Sequence, residues 1–408
     1  MTSNSLPRAW RNAVLGDVTR EVSERVGKSD EAPRIYGVER ETGLTPTPKY
    51  VAKDVSRYKK IEPGMFAYNP MRLNIGSLGY CSPKHHSGAV SPDYVVFQCN
   101  PSHLDTLYMY YITQSPQWDE WVRGAGVGSV RVRIYYRELA RMQLRLPPVD
   151  EQRAIAAVLG ALDDKIAQNR RIGRSLEELA RATFKAWFVD FEPVKAKASG
   201  KPSFPSMAAA AFASLPHSLV DSPIGPVPQG WEVQKLDDVL LLQRGFDLPK
   251  PTRTNGPFPV FTASGLNGWH NEAKVEGPGV ITGRSGVLGQ VFFADSAFWP
   301  LNTSLWVKEY RRSNPWHAYY FLQTLGLERF NAGSAVPTLN RNHLRDIAAV
   351  LAPWEILEDF ADFCGKVFEL RAHYDAESSK LTSLRDYLLP RLLIGQVRVP
   401  PSRLEVNE

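Results

Sequence analysis

The chain repeats its own landmarks at fixed spacings, and this repeat constrains the fold more than any other feature. Trp10 and Trp231 are 221 residues apart, and each is followed five residues later by a similar four-residue segment. A second block of matches has a spacing of 205 and pairs Gly128-Ser129, Leu139, Leu146 and Pro148 with Gly333-Ser334, Leu344, Leu351 and Pro353. The chain is therefore predicted to contain two related modules, of which the second is shorter.

Each copy has the same order of segments. A stretch rich in glycine, proline and aromatic residues comes first, with short β-type runs such as residues 94–97 and 290–293 bracketed by turn residues. A proline then closes the stretch, and a long helical segment begins. This order predicts two globular domains of mixed strands and helices, each followed by a long helix.

The first helical segment has apolar residues at alternating spacings of three and four, which is the 3.5-residue period of a coiled coil. About 38 residues at ~1.5 Å each would make a rod of roughly 57 Å. The predicted helix-pairing residues are Ile155, Leu159, Leu162, Ile166 and Leu176, and the same frame continues through Asn169, Gly173, Ala180, Thr183 and Trp187.

The second helical segment, from about residue 355 to residue 393, has a less regular seam. Arg371 and Arg385 interrupt it, so we expect Phe363, Leu370 and Leu384 on an adjacent ridge to restore the apolar stripe. Pro390 is expected to end or kink the helix. The predicted helix-pairing residues are Phe360, Val367, Leu381 and Leu388, with Cys364 and Tyr374 in the same row.

Neither apolar stripe is stable alone in water, and the two are natural partners for each other. The predicted fold class is α+β, with two globular mixed α/β domains separated by two long antiparallel coiled-coil helices and related by a pseudo-two-fold internal repeat. The connector between the copies is expected to be partly extended, with a docked loop containing a short helix as the alternative. The predicted boundaries are 1–148 for the first domain, 149–194 for the first helix, 195–227 for the Pro/Ala-rich connector, 228–353 for the second domain, 354–395 for the second helix and 396–408 for a C-terminal tail.

The composition favours a soluble protein of the reduced cytoplasm. No apolar run reaches the ~18–20 residues that a bilayer requires, residues 1–10 lack a signal-peptide pattern, and three scattered cysteines do not suit a disulfide framework or a zinc knuckle. The formal net charge of +6 lies mainly in the first domain. A module that binds a polyanion would show this excess, and an ordinary basic surface explains it equally well.

None of the candidate catalytic and metal-binding motifs has the residues and the spacing that its chemistry requires. Gly27-Lys28-Ser29 lacks the first glycine and the strand of a phosphate-binding loop. Gly283, Gly286 and Gly289 fit a turn between strands better than a dinucleotide site. Asn69-Pro70-Met71-Arg72 lacks the second proline and the aromatic residue of an adenine methyltransferase motif. The sequence therefore favours a binding protein without metal or cofactor of its own.

Several segments are similar to those of the specificity subunit of type I restriction–modification enzymes. Residues 147–155 (PPVDEQRAI) resemble the start of that family's first conserved helix, and residues 184–194 (FKAWFVDFEPV) resemble its end. Residues 384–392 (LRDYLLPRL) resemble the end of the second helix. Residues 67–77, 263–268 and 283–286 resemble pieces of the target recognition domains, so the resemblance spans nearly the whole chain.

The resemblance implies a DNA-specificity subunit with no catalytic activity of its own. Each globular domain would be a target recognition domain that reads one half of a bipartite, asymmetric site in double-stranded DNA, and the helices would set the spacer between the halves. Two methyltransferase subunits would dock on the helices and methylate adenine at N6 after flipping it from the duplex. A restriction or motor subunit would add ATP-dependent cleavage, so S-adenosylmethionine, ATP and Mg²⁺ would belong to the partner subunits.

The candidate DNA-binding residues are mostly polar side chains in turn-like segments, where Arg and Lys suit guanine and Asn and Gln suit adenine. Trp269 is equally compatible with a core position, as is Trp299. In the first domain the candidates are Arg57, Lys59, Lys60, Arg72, Asn74, Lys84, His85 and His86. In the second they are Arg244, Arg253, Asn255, Asn267, Trp269, Arg284, Ser285, Asn302 and Arg341.

Two other functions remain open from the sequence. A self-sufficient nuclease or methyltransferase would turn over DNA as the purified chain alone, given Mg²⁺ or S-adenosylmethionine. A coiled-coil adaptor that binds only proteins would give no gel shift with DNA at low salt, even with a methyltransferase present.

Overall fold

The computed structural model describes residues 10–28, 32–40, 42–46, 48, 50–125, 133–333 and 335–399. Among the sequence matches, Gly128, Ser129 and Ser334 lie outside this described part, as do residues 1–9 of the predicted first domain and 400–408 of the predicted tail. The chain divides into two compact units. Unit 1 comprises Met1–Asn169 with Ala376–Glu408, and unit 2 comprises Arg170–Asp375.

Short strands and four helices form the globular part of unit 1. The main sheet has the strand order β2-β9-β6-β7, a second sheet has the order β4-β3-β8-β5, and β1 pairs with β10. The predicted strand at residues 94–97 corresponds to β9. In chain order the elements are β1 (Arg11–Val14), α1 (Leu15–Val18), β2 (Thr19–Glu21), β3 (Ile35–Glu39), β4 (Gly43–Thr45), β5 (Lys59–Ile61), β6 (Met65–Tyr68), β7 (Leu78–Tyr80), β8 (Gly88–Val90), β9 (Val95–Cys99), α2 (Thr106–Thr113), α3 (Pro116–Gly124), α4 (Tyr136–Leu139) and β10 (Gln143–Leu146).

The long helix α5 (Val149–Phe188) follows β10, and the elements of unit 2 come after it. The predicted strand at residues 290–293 corresponds to β18, and the glycine-rich segment 283–289 joins it to β17, as predicted. These elements are α6 (Glu192–Ala198), α7 (Ala209–Ser214), β11 (Leu219–Val220), β12 (Val227–Pro228), β13 (Glu232–Lys235), α8 (Leu236–Val239), β14 (Leu241–Arg244), β15 (Phe258–Thr262), β16 (Gly265–His270), β17 (Gly279–Gly283), β18 (Val291–Ala294), β19 (Trp299–Pro300), β20 (Ser304–Glu309), α9 (Pro315–Thr324), β21 (Ala348–Leu351) and α10 (Trp354–Leu393).

In each unit, the strand that precedes α1 or α8 pairs with the strand that precedes the following long helix, and the pair forms a two-stranded neck. In unit 1, β1 pairs antiparallel with β10 and Arg11 faces Leu146; in unit 2, β13 pairs antiparallel with β21 and Glu232 faces Leu351. These positions differ by the 221 and 205 of the two sequence spacings. The main sheet of unit 2 has the order β14-β20-β17-β18, which matches that of unit 1 strand for strand.

The helices α5 and α10 each contain 40 residues and pair antiparallel in unit 1. Asp163 Oδ1 accepts a hydrogen bond from Arg385 Nη1 at 2.8 Å, and Asn169 Nδ2 donates to Glu377 Oε2 at 2.7 Å. Residue numbers therefore rise along α5 in the direction in which they fall along α10, so the two helices are antiparallel. Leu159 of α5 is buried in the same core as Leu392 of α10, so the pair is continuous with the core of the globular part.

Unit 2 contains the other halves of both helices, in the same antiparallel sense. Glu177 pairs with Arg371 at 3.1 Å (Oε2 to Nη1), and Phe184 meets Phe360 edge to face with ring centroids 5.7 Å apart. Trp187 packs on Phe360 as well, at 5.8 Å. These aromatic residues belong to the main core of unit 2. An apolar seam that widens into aromatic contacts thus joins the helix pair to this globular part.

The helix-pairing candidates take inward-facing positions to different degrees. On α10, helix formation continues through Pro390 and ends within one turn of it, at Leu393. Among the candidates, Ile155, Leu159, Ile166, Phe360 and Val367 are buried, whereas Leu162, Leu176, Leu381 and Leu388 are half-buried.

The expectation that Arg371 and Arg385 interrupt the seam of α10 is wrong. Both arginines continue the row of inward-facing positions, and each bonds across the helix pair to a carboxylate of α5. Leu370 and Leu384, expected to restore the stripe, are instead 43% and 46% exposed, whereas Phe363, the third residue of that expectation, is half-buried against the unit 2 core. The carboxylates give each arginine an opposite charge, so the seam does not need to shift to another ridge.

The predicted partly extended connector is also wrong, because residues 195–227 dock on unit 2. Phe212 and Leu215 are buried in the unit 2 core, and the Ala208 amide donates to Asp359 Oδ2 at 2.9 Å. The docked alternative, with α7 as its short helix, describes the segment. Among the described residues, no helix has the length and apolar character needed to span a bilayer.

Candidate nucleic-acid interface

Three of the predicted arginines meet in one cleft of unit 2. Arg244 ends β14, Arg284 follows β17, and Arg341 opens a short 3-10 helix. The sheet brings the first two together because β14 and β17 both pair with β20. The cleft has a volume of about 850 Å³, and its other polar residues are Gln243, Asp247, Thr338 and Asn340.

The turn that carries Arg284 is held by backbone hydrogen bonds on both sides. The Arg284 amide donates to Thr303 O at 2.9 Å, and the Arg284 carbonyl accepts from the Leu339 amide at 2.8 Å. Gly283 has no room for a side chain, since a Cβ there would lie 1.9 Å from Val287 O. The turn is therefore a fixed support for the arginine that it presents.

Backbone carbonyls, not carboxylates, orient two of the three guanidinium groups. Arg284 Nη1 donates to Asn302 O at 3.1 Å, and Arg341 Nη1 donates to Leu242 O at 3.2 Å. Arg244 is exposed. Within the described part of the chain, none of these arginines forms an ion pair with an acidic side chain. The cleft, which also contains Asp247, therefore keeps a net positive charge and free N–H donors.

A second group of candidates lies on the β15–β16 hairpin of unit 2. Arg253 Nη1 donates to Asn267 O at 2.8 Å and to Asn267 Oδ1 at 3.0 Å, which ties the preceding loop to the hairpin. Asn255 is exposed, and Trp269 is 49% exposed. Trp299 is buried, with the Lys274 ammonium over its ring, so it is a core residue.

The candidate lysines of unit 1 are already bonded within the chain. Burial lowers the pKa of Lys59, although Glu21 opposes this effect. Lys60 and Lys84 form salt bridges at the surface. The three ammonium groups bond to Tyr94 O at 2.7 Å, Glu24 Oε1 at 2.6 Å and Asp164 Oδ1 at 3.0 Å, respectively. Any DNA contact by these lysines would compete with the existing bonds.

The other candidates of unit 1 do not converge on one point. Arg57, Arg72 and His86 are exposed, while His85 Nδ1 lies 2.8 Å from Ser82 Oγ. Asn74 lines a groove of about 460 Å³ whose walls also include Arg40 and Arg123.

Sequence reasoning missed several polar residues of these two concave sites, among them Gln243 and Asn340 in unit 2, and Arg40 and Arg123 in unit 1. Asn340 carried a usable signal, because it precedes Arg341 in a polar run. Arg40 and Arg123 carried none, since each comes close to Asn74 only through the tertiary fold.

Comparisons with known proteins agree on one family, although no family model matches the chain. The chain is 22% identical to the type I restriction enzyme HindI specificity subunit of Haemophilus influenzae, over 95% of this chain and 99% of that protein. It is 23% identical to the type I restriction enzyme MjaIX specificity subunit of Methanocaldococcus jannaschii, over 72% and 69%. Both relatives are type I restriction enzyme specificity subunits, and the chain is similar to them.

The fold of the chain is also similar to that of a solved structure. The crystal structure of a type I restriction–modification system S subunit from M. genitalium aligns with a TM-score of 0.60 at 16% identity, covering 96% of this chain and 97% of that one. The predicted fold class, with its two long helices, is confirmed. Both relatives are named as specificity subunits, which agrees with the prediction of a recognition subunit without catalytic activity of its own.

Proposed function

We propose that this chain is a specificity subunit that recognises a bipartite, asymmetric sequence in double-stranded DNA, with one half read by each unit. The support is a shared framework that presents different side chains. In unit 2 the Leu339 amide bonds to the Arg284 carbonyl, and in unit 1 the Ile134 amide bonds to the Pro70 carbonyl in the same way. Equivalent turns therefore present an arginine in one unit and a proline in the other, and two different surfaces would read different half-sites.

The arginine cleft is the observation that most directly supports contact with DNA. Three guanidinium groups without acidic partners, among the described residues, would attract the phosphate backbone. The cleft also offers amide side chains in Gln243 and Asn340, which suit base edges.

Two methyltransferase subunits would dock on the long helices. Each unit leaves large apolar side chains exposed on its own helix segments: Leu384 and Tyr387 in unit 1, and Leu179 and Leu370 in unit 2. Exposed apolar side chains on helices are typical of protein–protein interfaces. In the cytoplasm these partners would bring S-adenosylmethionine and methylate adenine at N6, and a restriction subunit would use ATP and Mg²⁺ for cleavage.

Mapping N6-methyladenine tests the proposed recognition directly. The chain is co-expressed with its methyltransferase partner in a host without adenine methylation, and the modified sites are sequenced. We expect one motif with two different halves and a fixed gap. A methylome with no two-part motif would contradict the proposal, and binding of the methyltransferase without DNA would instead indicate a protein adaptor.

Docking on the helices is tested by co-purification. Leu384→Gln with Tyr387→Gln is expected to reduce recovery of the methyltransferase subunit, because both changes remove apolar area from one exposed helix surface of unit 1. Tyr50→Gln is the matched control, since Tyr50 is a large exposed residue of unit 1 that does not lie on either long helix. Equal recovery from the double variant and the control would place the docking surface elsewhere.

A further inference from the structure

We propose that Arg284 reads a guanine in the half-site recognised by unit 2, and that Arg244 contacts the phosphate backbone beside it. This inference rests on the proposed function and assigns roles to two residues of the same cleft. Arg284 is half-buried on a turn with a fixed backbone, whereas Arg244 is exposed at the end of a strand. The two arginines therefore differ in how firmly they are oriented. Orientation is what distinguishes a residue that reads bases from one that contacts phosphates.

The geometry around Arg284 suits the major-groove edge of guanine. That edge presents two acceptors, O6 and N7, which a guanidinium group contacts with two parallel N–H bonds. The bond from Arg284 Nη1 to Asn302 O fixes the plane of the group and leaves other N–H donors free. A carbonyl anchor keeps the full positive charge, and a pre-oriented arginine loses less side-chain entropy on binding.

Arg253 is the competing candidate, because its guanidinium is also anchored. Its Nη1 already makes two bonds to Asn267, and its Nε is buried without a partner. This arrangement directs Arg253 toward the hairpin and suits a structural role. Arg284 makes one such bond and lines the open cleft.

Arg244 has the features of a phosphate contact. It is exposed, and it shares the cleft with Arg284 without an acidic partner among the described residues. An unanchored arginine follows the backbone of any sequence, so it contributes affinity and salt dependence but no discrimination between bases.

The test uses the purified complex with the methyltransferase subunits. Wild type, Arg284→Ala, Arg284→Lys and Arg244→Ala are titrated with duplexes that carry the methylome-derived motif or one substituted base pair at each position. Arg312→Ala is the matched control, since Arg312 is an exposed arginine of unit 2 paired with Glu232. Thermal unfolding of each variant and its unchanged recognition of the unit 1 half-site verify folding.

Arg284→Ala is expected to lose discrimination at one G·C pair in one half of the motif by roughly 5- to 150-fold, with the other half unchanged. Arg284→Lys is expected to lose most of it too, because lysine cannot make the two parallel bonds. Arg244→Ala is expected to weaken all duplexes alike and to lower the salt slope by about 1.

Three results would overturn the inference. Unchanged discrimination at every position in folded Arg284→Ala would exclude base reading, and uniform weakening of all duplexes would make Arg284 a phosphate contact. Lost discrimination at an A·T pair would show that Arg284 does not read a guanine. In each case a two-part wild-type motif would leave the proposed function intact, whereas a wild-type complex without a two-part motif would overturn both.

Discussion

Arg385 on α10 donates from Nη1 to Asp163 Oδ1 on α5 at 2.8 Å, and the two residues are 222 positions apart in sequence. Tyr111 of α2 donates to the other oxygen of the same carboxylate at 2.8 Å. One side chain thus joins both long helices to the globular part of unit 1. Because Arg385 pairs with this carboxylate, its charge on the apolar seam forms a contact between the helices and does not disrupt the seam.

Removing this carboxylate is expected to destabilise unit 1. In Asp163→Asn the free energy of unfolding should fall by about 1–2 kcal/mol, because Arg385 loses its charge partner on α5 and keeps only Asp386 on its own helix, while both side chains of the broken pair are about one-third exposed. Urea unfolding measures the change. Asp164→Asn is the control, since its pair with Lys84 is fully at the surface and should contribute under about 1 kcal/mol. Equal effects of the two variants would contradict the structural role of Asp163.

The antiparallel register of unit 1 predicts which cysteine pairs form a disulfide. Ile166 lies between Asp163 and Asn169 on α5, and Leu381 lies between their partners on α10. Cysteines at 166 and 381 should therefore crosslink efficiently under mild oxidation, whereas cysteines at 166 and 388 should not.

Non-reducing gel electrophoresis measures both yields. The native thiols should not compete, because burial raises the pKa of Cys81 to about 11 and that of Cys99 to about 12. Similar yields from the two engineered pairs would show that the helices slide by a heptad.

His317 is expected to make unit 2 sensitive to acid. Its Nδ1 lies 2.8 Å from Ser313 Oγ, its ring contacts Phe184 and Phe188, and burial lowers its pKa to about 4. In the unfolded chain this histidine binds a proton below about pH 6.5, whereas in the folded chain it stays neutral down to about pH 4. The contribution of neutral His317 to stability is therefore complete above pH 6.5 and is lost as the pH falls from 6.5 to 4.

The loss attributable to His317 should approach about 3 kcal/mol at pH 4. Unfolding of wild type and His317→Gln is compared at pH 7 and at several values down to pH 4. The variant should show a flatter acid limb, even if it is less stable at pH 7. Parallel curves would mean that other groups cause the acid sensitivity.

Truncation of the seam should separate buried from exposed leucines on α5. Leu159 is fully buried in the unit 1 core, so Leu159→Ala is expected to cost about 2–5 kcal/mol of unfolding free energy. Leu179 is 46% exposed, and Leu179→Ala should cost less than about 1 kcal/mol. Circular dichroism during thermal unfolding compares the two, and a similar loss for both would be inconsistent with the observed seam.

The helices were the most predictable part of this fold, because heptad spacing is a local property of the sequence. The same reasoning failed at Arg371 and Arg385, whose acceptable environment depends on Glu177 and Asp163 on a distant segment. Local polarity was enough to nominate Arg244, Arg284 and Arg341 singly. Their convergence in one cleft depends on the order of strands in the sheet, and this order cannot be derived from the sequence pattern.

The paired neck strands bring the two ends of each globular segment together, so that each segment is an insertion that can be exchanged as a unit. The chain enters unit 1's globular part through β1 and leaves it through β10, and these two strands lie side by side; β13 and β21 do the same in unit 2. Residues 15–142 of unit 1 and residues 236–347 of unit 2 are thus each inserted between two adjacent strands. If each globular part reads one half-site, as proposed, exchange of such an insert would replace one half of the recognition surface while the flanking helix stays the same. New combinations of half-sites would then arise by recombination without redesign of the scaffold.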